Sequence, residues 1–404
     1  MLGPFLAMFS QKGSCMYSGQ LIFAQLMDFV PRHEFNACVR RYRGEHRIRK
    51  LSCRDQFLAM VFPQLTYRES LRDVATCLRA LGSKQYHAGF RSSISRSTLA
   101  DANERRDWRI YHDFAQVLIR RARQLYAHEP LALALQQTIY ALDSTVIELC
   151  LSLFPWAHSQ RDKAAIKLHT LLDLRGAIPC FVRFSTAKTA DSSILDQITL
   201  EPGSYYIMDR GYNDFRRLLR WTQAGAFFVV RCRSNITFVR GLSRPVDRSS
   251  GLRSDQQVRF RDRRTRKHYP QRIRRITFYD VAHRRRFILL TNAFHLLALT
   301  IPQLYKQRWQ IELFFKWIKQ HLRIKHFFGR SPNAIKTQVW IAISAYVLVA
   351  ILKRELKLER SLYEILQILS ITLFEKTSDF RAHLQQNHQI SDSQLRNQLR
   401  LFDF

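Results

Sequence analysis

The sequence predicts an α/β protein, a mixed sheet carrying helices, with a helical region before it and another after it. Three observations carry that expectation. From residue 138 the helix-like spacing of apolar residues gives way to runs rich in β-branched and aromatic residues, beginning with TIYALDSTVIEL. From there to residue 233 the order reads strand, strand, strand, helix, strand, helix, strand, a layered α/β pattern. An arginine-packed stretch, 234–285, then interrupts the order before the strand RRFILLTN and an amphipathic helix resume it.

Taken in order, residues 18–66 alternate apolar clusters with basic runs (Arg40, Arg41, Arg43, Arg47, Arg49, Lys50) and read as short helices, with Gly44 breaking the first set. A helix from Glu69 to Leu81 ends near Gly82, and a Ser- and Gly-bearing loop runs to Ser97, which caps a second helix. Two helices joined this way, with Arg91 and Arg96 in the loop, suit a helix-turn-helix-like DNA reader; a plain helical bundle is the rival. Further on, KLHTLLDL and AIPCFVRFS flank the turn Arg175-Gly176, a hairpin signal that makes three antiparallel neighbours with the first strand. Residues 189–200 read as a short helix capped by Thr189 or Asp191. SYYIMDRGY is a compact strand with Asp209 at its exit, DFRRLLRWTQAG is a helix capped at 213–214 and stopped by Gly225, and FFVVRCRS is another strand. In 234–285 the recurring apolar triplets favour a β-rich insertion over a disordered linker. Residues 333–375 are helical and apolar, and the polar tail from Thr377 is a small helical cap. The apolar run Val339–Leu352 is shorter than a bilayer requires, so a buried helix is expected.

The chain of 404 residues is long enough for two or three units with a sizeable core. Its units are expected at 1–15 (a possible upstream extension, since Met16 opens a cleaner amphipathic start), 16–130 (helical, DNA-binding), 131–233 (core, first part), 234–285 (basic insertion), 286–332 (core, second part) and 333–404 (helical). Charge is the strongest global fact: 65 Lys and Arg against 32 Asp and Glu leave +33. Such a field draws polyanions, and its spread along a core-forming chain favours an enzyme or binder on nucleic acid over a basic tail. Seven cysteines without a Cys-x-x-Cys pair suggest neither a disulfide framework nor a zinc site, which fits a reducing cytosol. The apolar N-terminus lacks the basic n-region of a signal peptide.

The helix expected from Ile301 to Leu322 gathers the oddest set of side chains. At roughly 100° per residue, Leu304, Ile311, Phe315, Ile318 and Leu322 form one apolar arc. Pro302 suits its first turn and Thr300 its N-cap. Beside the arc lie Tyr305, Arg308, Glu312 and Lys319, spaced three, four and seven apart and so on one face. Two readings are open: an ordinary amphipathic helix with solvated charges, or a site that holds a metal through Glu312 and a phosphate through its neighbours. Asp143 on the first strand and Asp209 at the exit of the fourth are carboxylates that a sheet could bring together, with Glu312 packed over them. Hard divalent cations such as magnesium are held by a few carboxylates plus phosphate oxygens, and two ions about 3.5–4 Å apart would serve an in-line displacement at a phosphodiester. Asp173 and Asp162 have a similar claim by position, whereas Glu148 alternates out of phase with Asp143.

ALDSTVIEL around Asp143, IMDRGYND around Asp209, and the pattern Y-x2-R-x3-E-x6-K at Tyr305, Arg308, Glu312 and Lys319 together resemble the DDE transposases of family four of the bacterial insertion sequences, the cut-and-paste type. The likeness extends from Met16 over most of the chain. It implies a ribonuclease H-like catalytic core with a β-rich insertion between the second Asp and the Glu. It further implies that Asp143 bridges two Mg2+ ions (Mn2+ being the alternative), that Asp209 completes one site and Glu312 the other, and that Tyr305, Arg308 and Lys319 contact phosphates near the cut. Water would cut one strand, and the freed 3′ hydroxyl would attack other phosphodiester bonds, in related enzymes first forming a hairpin on the transposon end. The partners implied are double-stranded DNA, as inverted-repeat ends and as target, with a homodimer in the synaptic complex.

Further candidates for DNA contact are Arg210 beside Asp209, Lys167, Arg91 and Arg96. His169 is either a substrate neighbour or a structural histidine, and Trp309 either stacks an extruded base or belongs to the core. Two rival functions remain: a domesticated nuclease of the same fold that cuts without joining, and a DNA-binding repressor with a vestigial site.

Overall fold

The structure is a computed structural model and describes residues 20–131, 135–149, 164–321, 327–377 and 380–385. Met16, the first fifteen residues, Asp162 and Leu322 lie outside the described residues. Seven helices come first: α1 (Ile22–Met27), α2 (Arg32–Arg41), α3 (Cys53–Thr66), α4 (Leu71–Ala80), α5 (Lys84–His87), α6 (Arg96–Arg105) and α7 (Arg109–Tyr126). Strands β1 (Ile139–Leu149), β2 (Ala164–Asp173), β3 (Ile178–Thr186) and β4 (Tyr205–Met208) follow, then α8 (Phe215–Gln223) and β5 (Phe227–Arg231). The basic stretch forms β6 (Phe238–Arg244), β7 (Leu252–Phe260), α9 (Arg263–His268) and β8 (Ile273–Asp280), and β9 (Arg285–Thr291) leads to α10 (Thr300–Lys306) and α11 (Trp309–His321). The chain continues through α12 (Pro332–Glu355), α13 (Leu362–Thr372) and α14 (Phe380–Gln385).

All nine strands join one mixed sheet in the order β3-β2-β1-β4-β5-β9-β8-β7-β6. The first three are antiparallel neighbours, as the hairpin signal at Arg175-Gly176 predicts, while β4 and β5 run parallel to β1. The insertion is not a separate lobe. Strand β9 returns antiparallel to β5, and β8, β7 and β6 extend the same sheet by successive antiparallel pairings.

Alternation along the strands gives the sheet two apolar faces. Ile139, Ala141, Ile147, Ile166, Leu168, Ile207 and Val229 pack with the N-terminal helices and α10–α12, whereas Tyr140, Leu142, Tyr206, Met208, Phe228 and Val230 pack with Leu218 and Trp221 of α8. Helix α12 runs through the first of these cores, with Trp340, Ile341, Val347 and Leu348 buried and Ser331 accepting from the Ala334 N–H at its start. Among the described residues it is the one helix long and apolar enough to cross a bilayer, yet its apolar surface is spent inside the fold. The run Val339–Leu352 is thus part of a longer buried helix.

Four local expectations are corrected. Ser95, not Ser97, caps α6, accepting from the Thr98 N–H, so Arg96 opens the helix and does not lie in the loop. The segment after Thr189 is a 3-10 turn, Asp191–Asp196, whose cap position is Ala190, a residue without a polar side chain; Asp191 opens the turn and accepts from Ser144. Thr300 is the first residue of its helix, not its cap. The single helix expected from Ile301 is two, α10 and α11. At the junction the N–H groups of Gln307, Arg308, Gln310 and Ile311 each donate to the carbonyl three residues back, a tightened 3-10 turn that separates α10 from α11 without glycine or proline.

Candidate active site

The register of the sheet places the first two acids side by side. Leu142 of β1 pairs with Met208 of β4, and the next residue on each parallel strand is Asp143 and Asp209. Asp143 stays within β1, and its backbone neighbour Ser144 donates its N–H to Asp143 Oδ1 at 2.8 Å. Asp209 leaves β4 and precedes a 3-10 turn, Arg210–Tyr212. Asp209 lies at the carboxyl end of β4, where open α/β sheets commonly place their ligands, and Asp143 lies within β1, one residue past its last parallel pairing with β4.

The third acid arrives from α11, which packs against β1. At the tightened turn, Arg308 projects between the acids. Its guanidinium donates through Nη1 to Asp143 Oδ2 at 2.7 Å and through Nη2 to Glu312 Oε1. Tyr305, one turn earlier, donates its hydroxyl to Asp209 Oδ1 at 3.2 Å, and the Arg308 guanidinium lies 5.8 Å from its ring. The sequence face Tyr305, Arg308, Glu312 is therefore assembled over Asp143 and Asp209. Lys319, two turns along α11, is exposed.

The electrostatics follow from crowding three carboxylates in a partly buried place. Burial pushes Asp143 up to about 6, Arg308 and the Ser144 N–H act against this, and Asp209 and Glu312 add to it. Burial likewise lifts the Tyr305 phenol to about 12, with Asp209 contributing, so it is a proton donor at neutral pH. Burial works to lower Arg308, but Tyr305, Asp143 and Glu312 outweigh it and hold it charged. Its side chain is only 17 % exposed, and Nε has no partner among the described residues.

Three carboxylates are a donor set for hard divalent cations. As the side chains stand, no three of His, Cys, Asp and Glu among the described residues are close enough together to hold a metal ion, and at this site the Arg308 guanidinium lies between Asp143 and Glu312. The acids fit a metal chemically, and two of the carboxylate oxygens a metal would use are engaged by a cation of the chain itself.

The other candidates are distributed differently. Lys167 and His169 face the opposite side of the sheet from Asp143, since their cross-strand partners are Val146 and Ser144. The Lys167 ammonium is buried and taken by the Thr189 carbonyl at 2.8 Å and Asp191 at 3.1 Å, an arrangement that does not offer it to DNA. His169 is buried, shares a 2.8 Å hydrogen bond with Ser185, and burial lowers its pKa, in keeping with the structural reading. Asp173 pairs with Arg123 of α7 and belongs to that packing contact. Arg210 and Arg91 are exposed, and the Arg91 backbone N–H donates to Asp55. Trp309 is 59 % exposed beside Arg308, which excludes the core reading.

One neighbour escapes the sequence. Asp191, expected as a cap, accepts from Ser144 Oγ at 2.7 Å and from Lys167, bracing the strand residue next to Asp143 from the far face of the sheet. Gly211 fits against it: a Cβ there would sit 3.1 Å from Asp191 Oδ2. The available signal is the unusual string of hydroxyl, lysine and aspartate at Ser144, Lys167 and Asp191, but nothing in their spacing joins them.

The transposase DDE domain family matches residues 134–348, just over half of the chain, and a domain of unknown function (DUF4372) matches residues 18–91. A putative transposase, y4zB, of Sinorhizobium fredii is 33% identical over 282 residues, covering 69% of this chain and 77% of that one. A probable transposase for insertion sequence element IS5377 of Geobacillus stearothermophilus is 31% identical over 220 residues, covering 54% of this chain and 57% of that one. Among solved structures, the piggyBac transposase synaptic complex with hairpin DNA matches 96% of this chain and 85% of that one at a TM-score of 0.44 and 10% identity, a likeness on which nothing further rests. Enzymes of the DDE family use divalent metal ions. The family match and the relative covered over most of its length establish that the chain belongs to the DDE transposases of bacterial insertion sequences.

Proposed function

We propose that this transposase binds the terminal inverted repeats of its own element and moves it by cut-and-paste, with Asp143, Asp209 and Glu312 as its catalytic acids and the Tyr-Arg-Glu-Lys signature of insertion-sequence family four. The observation that carries the assignment of residues is the single guanidinium of Arg308 bound at once to Asp143 on a strand and Glu312 on a helix, with Asp209 tied to Tyr305 beside it. The sheet order supports a ribonuclease H-like core: three antiparallel strands β3-β2-β1, then β4 and β5 parallel to β1. In that reading 131–233 and 286–332 make the core around the 234–285 insertion, and 16–130 carries DNA-binding helices.

The three acids would hold two magnesium or manganese ions, whose chemistry is to activate a water and to stabilise the leaving oxygen of an in-line displacement. What the chain's own groups do is separable from this. Tyr305 orients Asp209 through its hydroxyl. The Ser144 N–H fixes one oxygen of Asp143, while the Asp191 brace holds Ser144. Arg308, exchanging its carboxylates for phosphate oxygens when DNA arrives, brings charge-assisted hydrogen bonds to the strand being cut. Exposed Lys319 adds a second cation to the same path, and exposed Trp309 offers an aromatic face to a base. Two ends must be held together for paste to follow cut, so the working species is a dimer on DNA.

The test is a cleavage and joining assay with magnesium, end-bearing DNA taken from the flanks of the gene, and a plasmid target. Cleaved and joined product is expected from the wild type, and neither from Asp143→Asn or Glu312→Gln, while binding to the ends stays within a few fold. Cleavage without joining would make the protein a nuclease. Full activity in either variant would remove that residue from the mechanism.

A further inference from the structure

A cleft of about 860 Å³ opens on the other side of the Asp209 turn, between the core and the insertion. Its walls are α8, the 3-10 turn ending at Asp196, the loop following β5, and α9 of the insertion. Five arginines line it (Arg216, Arg217, Arg220, Arg233 and Arg264) against two carboxylates, Asp196 and Asp214. Those carboxylates are consumed internally: Asp196 accepts from Arg217 at 2.8 Å and from Arg220 at 2.6 Å, and Asp214 caps α8 and pairs with Arg217. The result is a net positive lining with two guanidiniums held in place. Arg216 and Arg264 are exposed, and neither has a carboxylate within ion-pair distance among the described residues. Half-buried Ile236 supplies apolar surface between the charges, over the buried edge of Phe215.

Position ties the cleft to the acids. Arg233 donates from Nε to the Arg210 carbonyl at 2.9 Å and from Nη2 to the Gly211 carbonyl at 3.2 Å, the two residues immediately after Asp209. Cleft and acids thus open at the same end of the sheet, on its two faces, with one short turn between them. Guanidiniums from α8, α9 and the loop following β5 surround the concavity, so a single flexible sugar–phosphate strand can meet them together. Basic groups that track a backbone, with apolar surface for the bases, are the chemistry of single-strand binding.

We propose that this arginine cleft is a binding site for unpaired DNA strand, receiving a segment led away from the acids past the Asp209 turn. The proposal rests on the transposase reading and adds a second, separate contact surface to it.

The probes are a short single-stranded oligonucleotide and the duplex of the same sequence, titrated by fluorescence anisotropy at several salt concentrations. The variant is Arg216→Glu with Arg264→Glu, and the control is Lys357→Glu with Arg381→Glu, which reverses as much charge on elements that do not line the cleft. The cleft variant is expected to bind the single strand roughly tenfold more weakly, with its salt slope reduced by about 0.7 for each phosphate it no longer neutralises, hence about 1.4 for two. Duplex binding by the same variant, and both affinities of the control, should stay within about twofold of wild type. Unchanged single-strand binding, equal weakening for both probes, or equal weakening in the control would overturn the proposal while leaving the transposase reading intact. A wild type whose duplex binding ignores salt would count against the DNA-acting reading itself.

Discussion

Arg308→Gln should tighten divalent metal binding to the protein in the absence of DNA. The guanidinium and a metal ion compete for the same oxygens, Asp143 Oδ2 and Glu312 Oε1. Glu312 is 38 % exposed, so its contact with Arg308 is screened by solvent and contributes little. The Asp143 contact is better shielded, with 17 % and 21 % side-chain exposure for the two partners. A hydrogen bond to a charged group is worth roughly 1.5–3 kcal/mol, and about 1.4 kcal/mol is a factor of ten in affinity. Removing the competitor should therefore lower the Kd for magnesium or manganese about tenfold, and up to roughly a hundredfold. The assay is isothermal titration calorimetry on both proteins, with circular dichroism to show that the fold is kept. It must be run well above the titration of Asp143, which burial already pushes up to about 6 and which loses its main counterion in the variant. Equal or weaker metal binding by a folded Arg308→Gln would refute the competition.

Three further outcomes follow from the same contacts. Tyr305→Phe removes the hydroxyl from Asp209 and should slow cleavage about tenfold, the low end of the roughly 1.5–3 kcal/mol worth of a hydrogen bond to a charged group because this one is long at 3.2 Å, with the melting temperature little changed. Arg274→Ala strips Asp255 of a bidentate partner at 2.9 and 2.8 Å in a buried position, and should cost about 3–5 kcal/mol of stability in urea unfolding. Trp309→Ala, exposed in the structure, should change stability by no more than about 0.5 kcal/mol while weakening strand contacts in a footprint of cut DNA.

Much of the site was legible because its carriers obey local rules. Asp143 sits in a run of β-branched residues that reads as a strand, Asp209 follows a four-residue apolar strand, and the spacing Tyr305, Arg308, Glu312 survives as one face despite the turn beneath it. What could not be read was set by partners far along the chain. The turn at Gln307–Arg308 contains no helix breaker, and it coincides with the point where a guanidinium meets two carboxylates in a partly buried place, a tertiary pull that helix propensity does not register. Asp191 reaches Ser144 of β1 and Lys167 of β2 by side-chain contacts alone, from a segment that pairs with neither strand. The insertion was readable as basic and β-rich, but its union with the core sheet depends on β9 returning to β5, a pairing between distant segments that periodicity cannot specify. Lys167 misleads for a related reason. On a strand a lysine two residues from a histidine shares its face, and only the register with β1 shows that this face is the one turned from Asp143.

The convergence of Asp143, Asp209 and Glu312 on one metal centre is tested most directly by loading the protein with iron(II) in place of magnesium and generating hydroxyl radicals at the bound ion. Backbone cuts should fall near residues 143, 209 and 312 together and should vanish in Asp143→Asn. Cuts at one of these segments alone, or elsewhere in the chain, would contradict a shared centre.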